Sequence, residues 1–86
     1  MIMTSINKIR DLAPCRRGYE LLFTLYYPRY GYAGEFPLVD LLDTHPWDDV
    51  YWLIMCDIRL TSYAKQVAEM PKGKEVEFLR NILTVA

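Results

Sequence analysis

The chain has 86 residues and few of those that most chemistries require. Its single histidine is His45, and its two cysteines, Cys15 and Cys56, form no CxxC pair. A zinc set of four Cys or His ligands is therefore out of reach. No GxGxxG, P-loop, GxSxG or HExxH is present, so the common nucleotide, hydrolase and zinc-protease signatures are missing. Positive charge is not in excess: Lys plus Arg is 10 against 11 for Asp plus Glu, a net charge of −1. That excludes a simple polycation that coats nucleic acid. The longest apolar run, Val50 to Cys56, is closed by Asp49 and Asp57 and falls far short of the roughly 20 residues of a membrane helix. Met1 to Asp11 has polar residues every few positions and lacks the apolar core of a secretory leader. A cytoplasmic chain with both thiols reduced is the expectation, with no cofactor.

What is there describes a globular domain. Hydrophobic residues make up 52% and charged residues 24%, too apolar for disorder. One domain, residues 1–86, accounts for the length. A domain of this size buries only about 60–65% of its unfolded surface, so a partner or a second copy would complete it naturally.

The apolar periodicity is helical. Ser5 caps a short helix with Ile6, Ile9 and Leu12 on one side. Pro14 stops it and opens the next, about residues 14–27, with Cys15, Tyr19, Leu22 and Tyr26 in a stripe widened by Phe23 and Leu25. Arg16, Arg17, Glu20 and Thr24 take the opposite side. Pro28 to Phe36, with Gly31 and Gly34, reads as the one long loop; a small hairpin around Tyr26 to Tyr32 is the lesser alternative. Pro37 opens a short helix through Leu42. The longest helix is predicted over about residues 46–70. Val50, Ile54, Ile58 and Thr61 form one stripe, and Leu53, Cys56, Leu60, Ala64 and Val67 the adjacent one. A break near Thr61-Ser62 is an option, since both residues cap well. A last helix, about residues 74–84, carries Val76, Leu79 and Leu83, with Phe78 and Ile82 beside them. The predicted fold is all-α, four to five helices packed around the 46–70 helix.

Charge is segregated along the chain. Residues 1–34, 35–57 and 58–86 carry net charges of +3, −6 and +2. The middle segment holds Glu35, Asp40, Asp43, Asp48, Asp49 and Asp57 and no Lys or Arg. Asp48 and Asp49 have a plain reason to be there, because carboxylates in a first helical turn meet the positive end of the dipole. A solvated acidic face is the bland account of the whole segment. The functional account is an acidic patch that docks a basic surface.

Other constellations were weighed in the same way. His45 with Asp43, Asp48 and Asp49 has metal-like residue types, but no loop spacing that holds an ion; His45 reads instead as a helix-entry residue, and no metal is expected. Cys15, at a helix start beside Arg16 and Arg17, has features that favour a thiolate. A Cys15–His45 dyad is conceivable, against the simpler role of Cys15 in the apolar stripe. Cys56 reads as core. Arg16, Arg17 and Arg29 near Tyr26, Tyr27, Tyr30 and Tyr32 suggest base stacking, but the pI of 5.7 opposes direct nucleic-acid binding. Seven Tyr and two Trp suit a protein interface, since Tyr offers area at low entropy cost. Trp52 follows Asp48 by four and Asp49 by three, so it borders the polar face of its helix.

Cys15-x-x-Gly18 at a helix start, then Pro46-x-x-Asp49 and a Trp-bearing apolar helix, resembles a group of short uncharacterised phage proteins over residues 10–56. Those carry Cys before the Pro and Trp after the Asp, where this chain has His45 and Val50. The resemblance implies a phage or mobile-element setting, in which short acidic proteins bind and block host defence complexes, anti-CRISPR proteins among them.

These features together give a small non-enzymatic protein-binding module that docks a basic surface of a larger protein or complex. Tyr30, Tyr32, Asp40, Asp43, Asp48, Asp49 and Trp52 are the candidate contact residues. The resemblance extends this to a phage-encoded, anti-CRISPR-like inhibitor acting in the host cytoplasm. The alternatives are a nucleic-acid-associated regulator using Arg16, Arg17, Lys72 and Lys74, or a structural protein that self-associates through its tyrosines.

Overall fold

The computed structural model describes residues 1–85, and within them every side chain but that of Ile58. The chain is all-α apart from one pair of two-residue strands. Strand β1 is Met3–Thr4, and helix α1, Ile6–Arg10, follows at once. Ser5 caps α1, its hydroxyl accepting the Lys8 N–H at 3.2 Å, and Ile6 and Ile9 are buried. Beyond α1 the chain turns through Ala13, which has φ of 55°. That left-handed conformation is strained for a residue with a Cβ.

Helix α2 runs Arg16–Tyr30, displaced from the predicted 14–27 at both ends. Cys15 is its N-cap, in extended conformation, and is exposed, so it leaves the apolar stripe. Leu25 is exposed too; the inner face of α2 is Leu22 and Tyr26, with Tyr19 and Tyr30 packed half-buried around them. Pro28 does not end the helix. In the last turn its missing N–H forgoes a single bond, and Tyr30 is held by its ring contact with Phe36 at 5.1 Å. The helix stops at Gly31 (φ 68°, ψ −163°), whose N–H reaches the Tyr27 carbonyl at 2.8 Å. Only glycine adopts that backbone readily. Tyr26 to Tyr30 is therefore helix, not hairpin, and the loop shrinks to residues 31–35.

Strand β2, Phe36–Pro37, pairs antiparallel with β1, Thr4 opposite Phe36. A 3-10 turn, Leu38–Asp43, starts after Pro37 and buries Leu38, Val39 and Leu41, the short helix predicted there. The predicted 46–70 helix is two helices, α3 (Trp47–Cys56) and α4 (Thr61–Ala68), joined by a 3-10 turn at Ile58–Leu60. The break falls at Asp57 (φ −102°, ψ 113°), whose carboxylate accepts the Arg59 N–H at 2.9 Å. An aspartate offers the backbone this alternative to a continuing helix, and it takes effect four residues before Thr61. Cys56, now the last residue of α3, is exposed and not core. Leu53, Leu60, Ala64 and Val67 are buried as expected; Thr61 is exposed, and Ile58 of the other stripe lies outside the described side chains. Helix α5 is Glu75–Val85.

The core joins Ile6, Phe36, Val50, Ile54, Leu79 and Leu83, all 0% exposed. Helix α3 packs on the Leu38–Asp43 turn and on α4, and α5 closes over the same turn. The start of the chain is tied across to α5: the Ile2 N–H donates to the Leu83 carbonyl at 3.1 Å, and the Leu38 N–H to the Ile2 carbonyl at 2.9 Å. Among the described residues no helix is long and apolar enough to cross a membrane.

Candidate functional site

Helices α2 and α3 begin next to each other, and a hydrogen-bonded chain holds the two starts together. His45 Nε2 lies 3.3 Å from the Gly18 carbonyl. A carbonyl only accepts, so Nε2 carries the hydrogen. In the neutral ring Nδ1 is then an acceptor, and it takes the Thr44 hydroxyl at 2.9 Å. Thr44 Oγ1 accepts in turn from the Tyr26 hydroxyl at 3.0 Å. Tyr26 is 4% exposed, and burial, with the nearby charge of Asp40 as a lesser cause, raises its pKa above the ordinary 10.0.

Gly18 lies where the two helix starts meet. A Cβ there would meet Cys15 Sγ at 3.3 Å and Asp49 Oδ2 at 3.7 Å. Around it lies a cavity of about 550 Å³, floored by Ile9, Leu22, Leu41, Val50 and Leu53 and bordered by Cys15, Tyr19, His45, Asp48, Asp49 and Trp52. The volume is that of an ordinary ligand pocket. The strained Ala13 and Pro14 form part of its edge.

The six acids of the middle segment part company here. Glu35 pairs with Lys8 at 2.7 Å, Asp43 with Arg80 at 3.0 Å and Asp57 with Arg59 at 2.7 Å. Asp40 is half-buried near Tyr26. Asp48, exposed, and Asp49, half-buried, have no ion pair among the described residues, and both border the cavity. Trp52 is half-buried at the same cavity, one turn along α3. Asp48, Asp49 and Trp52 thus come together, while Asp43, at the end of the 3-10 turn, does not border the cavity and pairs with Arg80 on α5.

The two tyrosines lie elsewhere. Tyr30 is at the far end of α2, roughly 18 Å along the helix from Gly18, packed against Tyr26 and Phe36 and overlain by the Arg29 guanidinium at 5.1 Å. Tyr32 is 41% exposed. It ends a ridge of rings that starts at the cavity, Tyr19 to Phe23 (6.4 Å) to Tyr27 (4.6 Å) to Tyr32 (4.8 Å). Arg10 lies over the Tyr32 ring at 5.5 Å.

Cys15 and His45 share the cavity but are not hydrogen-bonded to each other; both ring nitrogens of His45 have other partners. A general base needs a nitrogen within reach of the proton it takes. Among the described residues no three His, Cys, Asp or Glu side chains gather to hold a metal. Arg16 is paired with Glu20 at 2.8 Å, and Lys72 and Lys74 are exposed before α5. Sequence reasoning missed Tyr19 as a cavity residue and the apolar floor beneath the carboxylates. The signal was Gly18, a side-chain-free position one turn into an otherwise bulky helix.

No family model, no curated protein and no solved structure matches the chain.

Proposed function

We propose that this protein is a small binding module that docks a basic surface of a larger protein, and that its recognition site is the cavity between the starts of α2 and α3. One observation carries the reading. Three of the six middle carboxylates are neutralised by bases from the flanking segments, and two of the remaining three border an apolar cavity beside Trp52. Unpaired charge beside an apolar cavity combines steering of a basic partner with a place to anchor it. The resemblance to short phage proteins supports a narrower form of the reading, in which docking blocks a nucleic-acid-binding groove of a host complex.

The test begins with capture of a partner from host extract and continues with purified components. Reversal of Asp48 and Asp49 to Lys is expected to slow association about tenfold or more and to flatten its salt dependence. Reversal of Asp40 and Asp43 is expected to do less, because Asp43 already has Arg80. If the folded Asp48→Lys, Asp49→Lys protein binds at the parent rate with the parent salt dependence, the carboxylates serve only the dipole of α3 and the reading fails. If reversal of Arg16 and Arg17 is what abolishes binding, the nucleic-acid alternative replaces it.

A further inference from the structure

We infer that the group this cavity receives is an arginine side chain presented by the partner. The inference rests on the docking reading above and narrows it to one chemistry.

Three features of the cavity converge on a guanidinium. The first is charge. Asp48 and Asp49 supply carboxylate oxygens with no cation of their own among the described residues, so an anionic occupant is repelled and a neutral one leaves them unused. A guanidinium brings five N–H donors in a planar fork, enough to serve carboxylates from two successive helix positions. The second is the pair of aromatic side chains. Tyr19 from α2 and Trp52 from α3 both border the space, and arginine stacks on such rings as well as being attracted by their π charge. The third is the floor. Leu22, Leu41, Val50 and Leu53 are buried and apolar, and they suit the three-carbon stem of arginine, which covers apolar surface while its head keeps polar company.

Lysine meets the same demands less well. Its ammonium is a compact, strongly hydrated charge with three donors, and it loses more on leaving water. Of the cations near the carboxylates on this chain, Arg16 holds Glu20, His45 bonds Gly18 and Thr44, and the exposed Arg17 makes no ion pair with Asp48 or Asp49 among the described residues.

The test uses the full chain labelled with nitrogen-15 and three small probes: N-acetyl-arginine amide, its lysine counterpart and its norleucine counterpart. Saturable shifts of the Gly18 amide and the Trp52 indole N–H are expected with the arginine probe. The lysine probe is expected to bind about fivefold more weakly, and the norleucine probe not at all. The shifts should vanish in Asp48→Asn, Asp49→Asn, provided its spectrum shows the parent fold; should that pair unfold, Asp48→Asn alone, at an exposed position, is expected to weaken arginine binding. No saturable arginine shift overturns the inference, as does equal binding of lysine or unchanged arginine binding in the folded Asn variants. The two readings fail separately. A partner whose binding depends on Asp48 and Asp49, with no arginine binding in this titration, removes the inference and leaves the docking site. A partner indifferent to both carboxylates removes both.

Discussion

Thr44→Val tests the hydrogen-bonded chain that sets the shape of the site. Valine has nearly the shape of threonine, so packing changes little and the hydroxyl is what is lost. The hydrogen bonds to Tyr26 and to His45 disappear, each contributing about 0.5–1.5 kcal/mol net, together with a long contact to the Leu41 carbonyl at 3.5 Å. The two losses are unequal. His45 is only half-buried and water can replace its partner, whereas Tyr26 is 4% exposed and its hydroxyl would be stranded at a penalty of about 1–3 kcal/mol. The expected destabilisation is about 2 kcal/mol, a large share of what a small domain has. In urea this should appear as a lower midpoint with an unchanged slope. Tyr26→Phe removes the stranded group, so the double variant should be more stable than the two single losses imply, by a coupling of about 1 kcal/mol. If Thr44→Val lies within about 0.5 kcal/mol of the parent, or the cycle is additive, the chain from Tyr26 to Gly18 does not hold the two helix starts together.

Four further outcomes are expected. Stability should fall as the pH rises through about 10, because the unfolded chain ionises Tyr26 near its ordinary 10.0 while the folded chain keeps the proton; Tyr26→Phe should reduce this alkaline limb in pH-dependent melts. Asp57, held below its ordinary 3.8 mainly by its hydrogen bond from Arg59, contributes stability that is complete above about pH 4 and is lost as the pH falls further; Asp57→Ala should cost about 1 kcal/mol at neutral pH through the lost cap, read by urea unfolding. Gly34→Ala should destabilise by about 2–3 kcal/mol, since a Cβ there runs into the Tyr30 carbonyl, and a calorimetric melt at the parent temperature would refute this. Gly18→Ala should gain up to about 1 kcal/mol in helix propensity, because the new methyl meets only the movable Cys15 thiol and makes ordinary contact with Asp49; a loss of stability would show that the two helix starts are closer-fitting than described.

Most of the helical content was legible because its signal is local. Ser5 announced α1, Pro37 the short turn that follows it, and the spacing of Val76, Leu79 and Leu83 the inner face of α5, although Val76 is exposed. The errors lie where a local signal met a competing interaction. Pro28 reads as a stop, yet the ring contact of Tyr30 with Phe36 carries the helix past it, and Gly31 is the true terminator. The run from Pro46 to Met70 keeps helical periodicity throughout, and nothing in that periodicity reveals that Asp57 prefers its own backbone N–H partner. Both cysteines were placed inside for their apolar company, and both lie outside: one caps a helix and the other ends one. Of the candidate contacts, Asp48, Asp49 and Trp52 were linked by spacing alone and the fold leaves them together. Tyr30, Tyr32, Asp40 and Asp43 were joined to them only by nearness in sequence. Their separation depends on the direction of α2 and on the packing of the Leu38–Asp43 turn against α3 and α5.

The bond between Ile2 and Leu83 has a bearing on how the molecule is made. During synthesis the residues of β1 emerge well before the α5 carbonyl that receives the Ile2 N–H. Until then Leu79 and Leu83 are absent from the core, and the apolar faces of the Leu38–Asp43 turn and α4 have no lid. At about 5–20 residues per second the nascent chain spends seconds with that surface uncovered. Helix α5 therefore acts as a release step: residues 75–85 must be translated before this domain can close. A ribosome stalled before α5 would hold a sticky, unfinished polypeptide, not a smaller folded one.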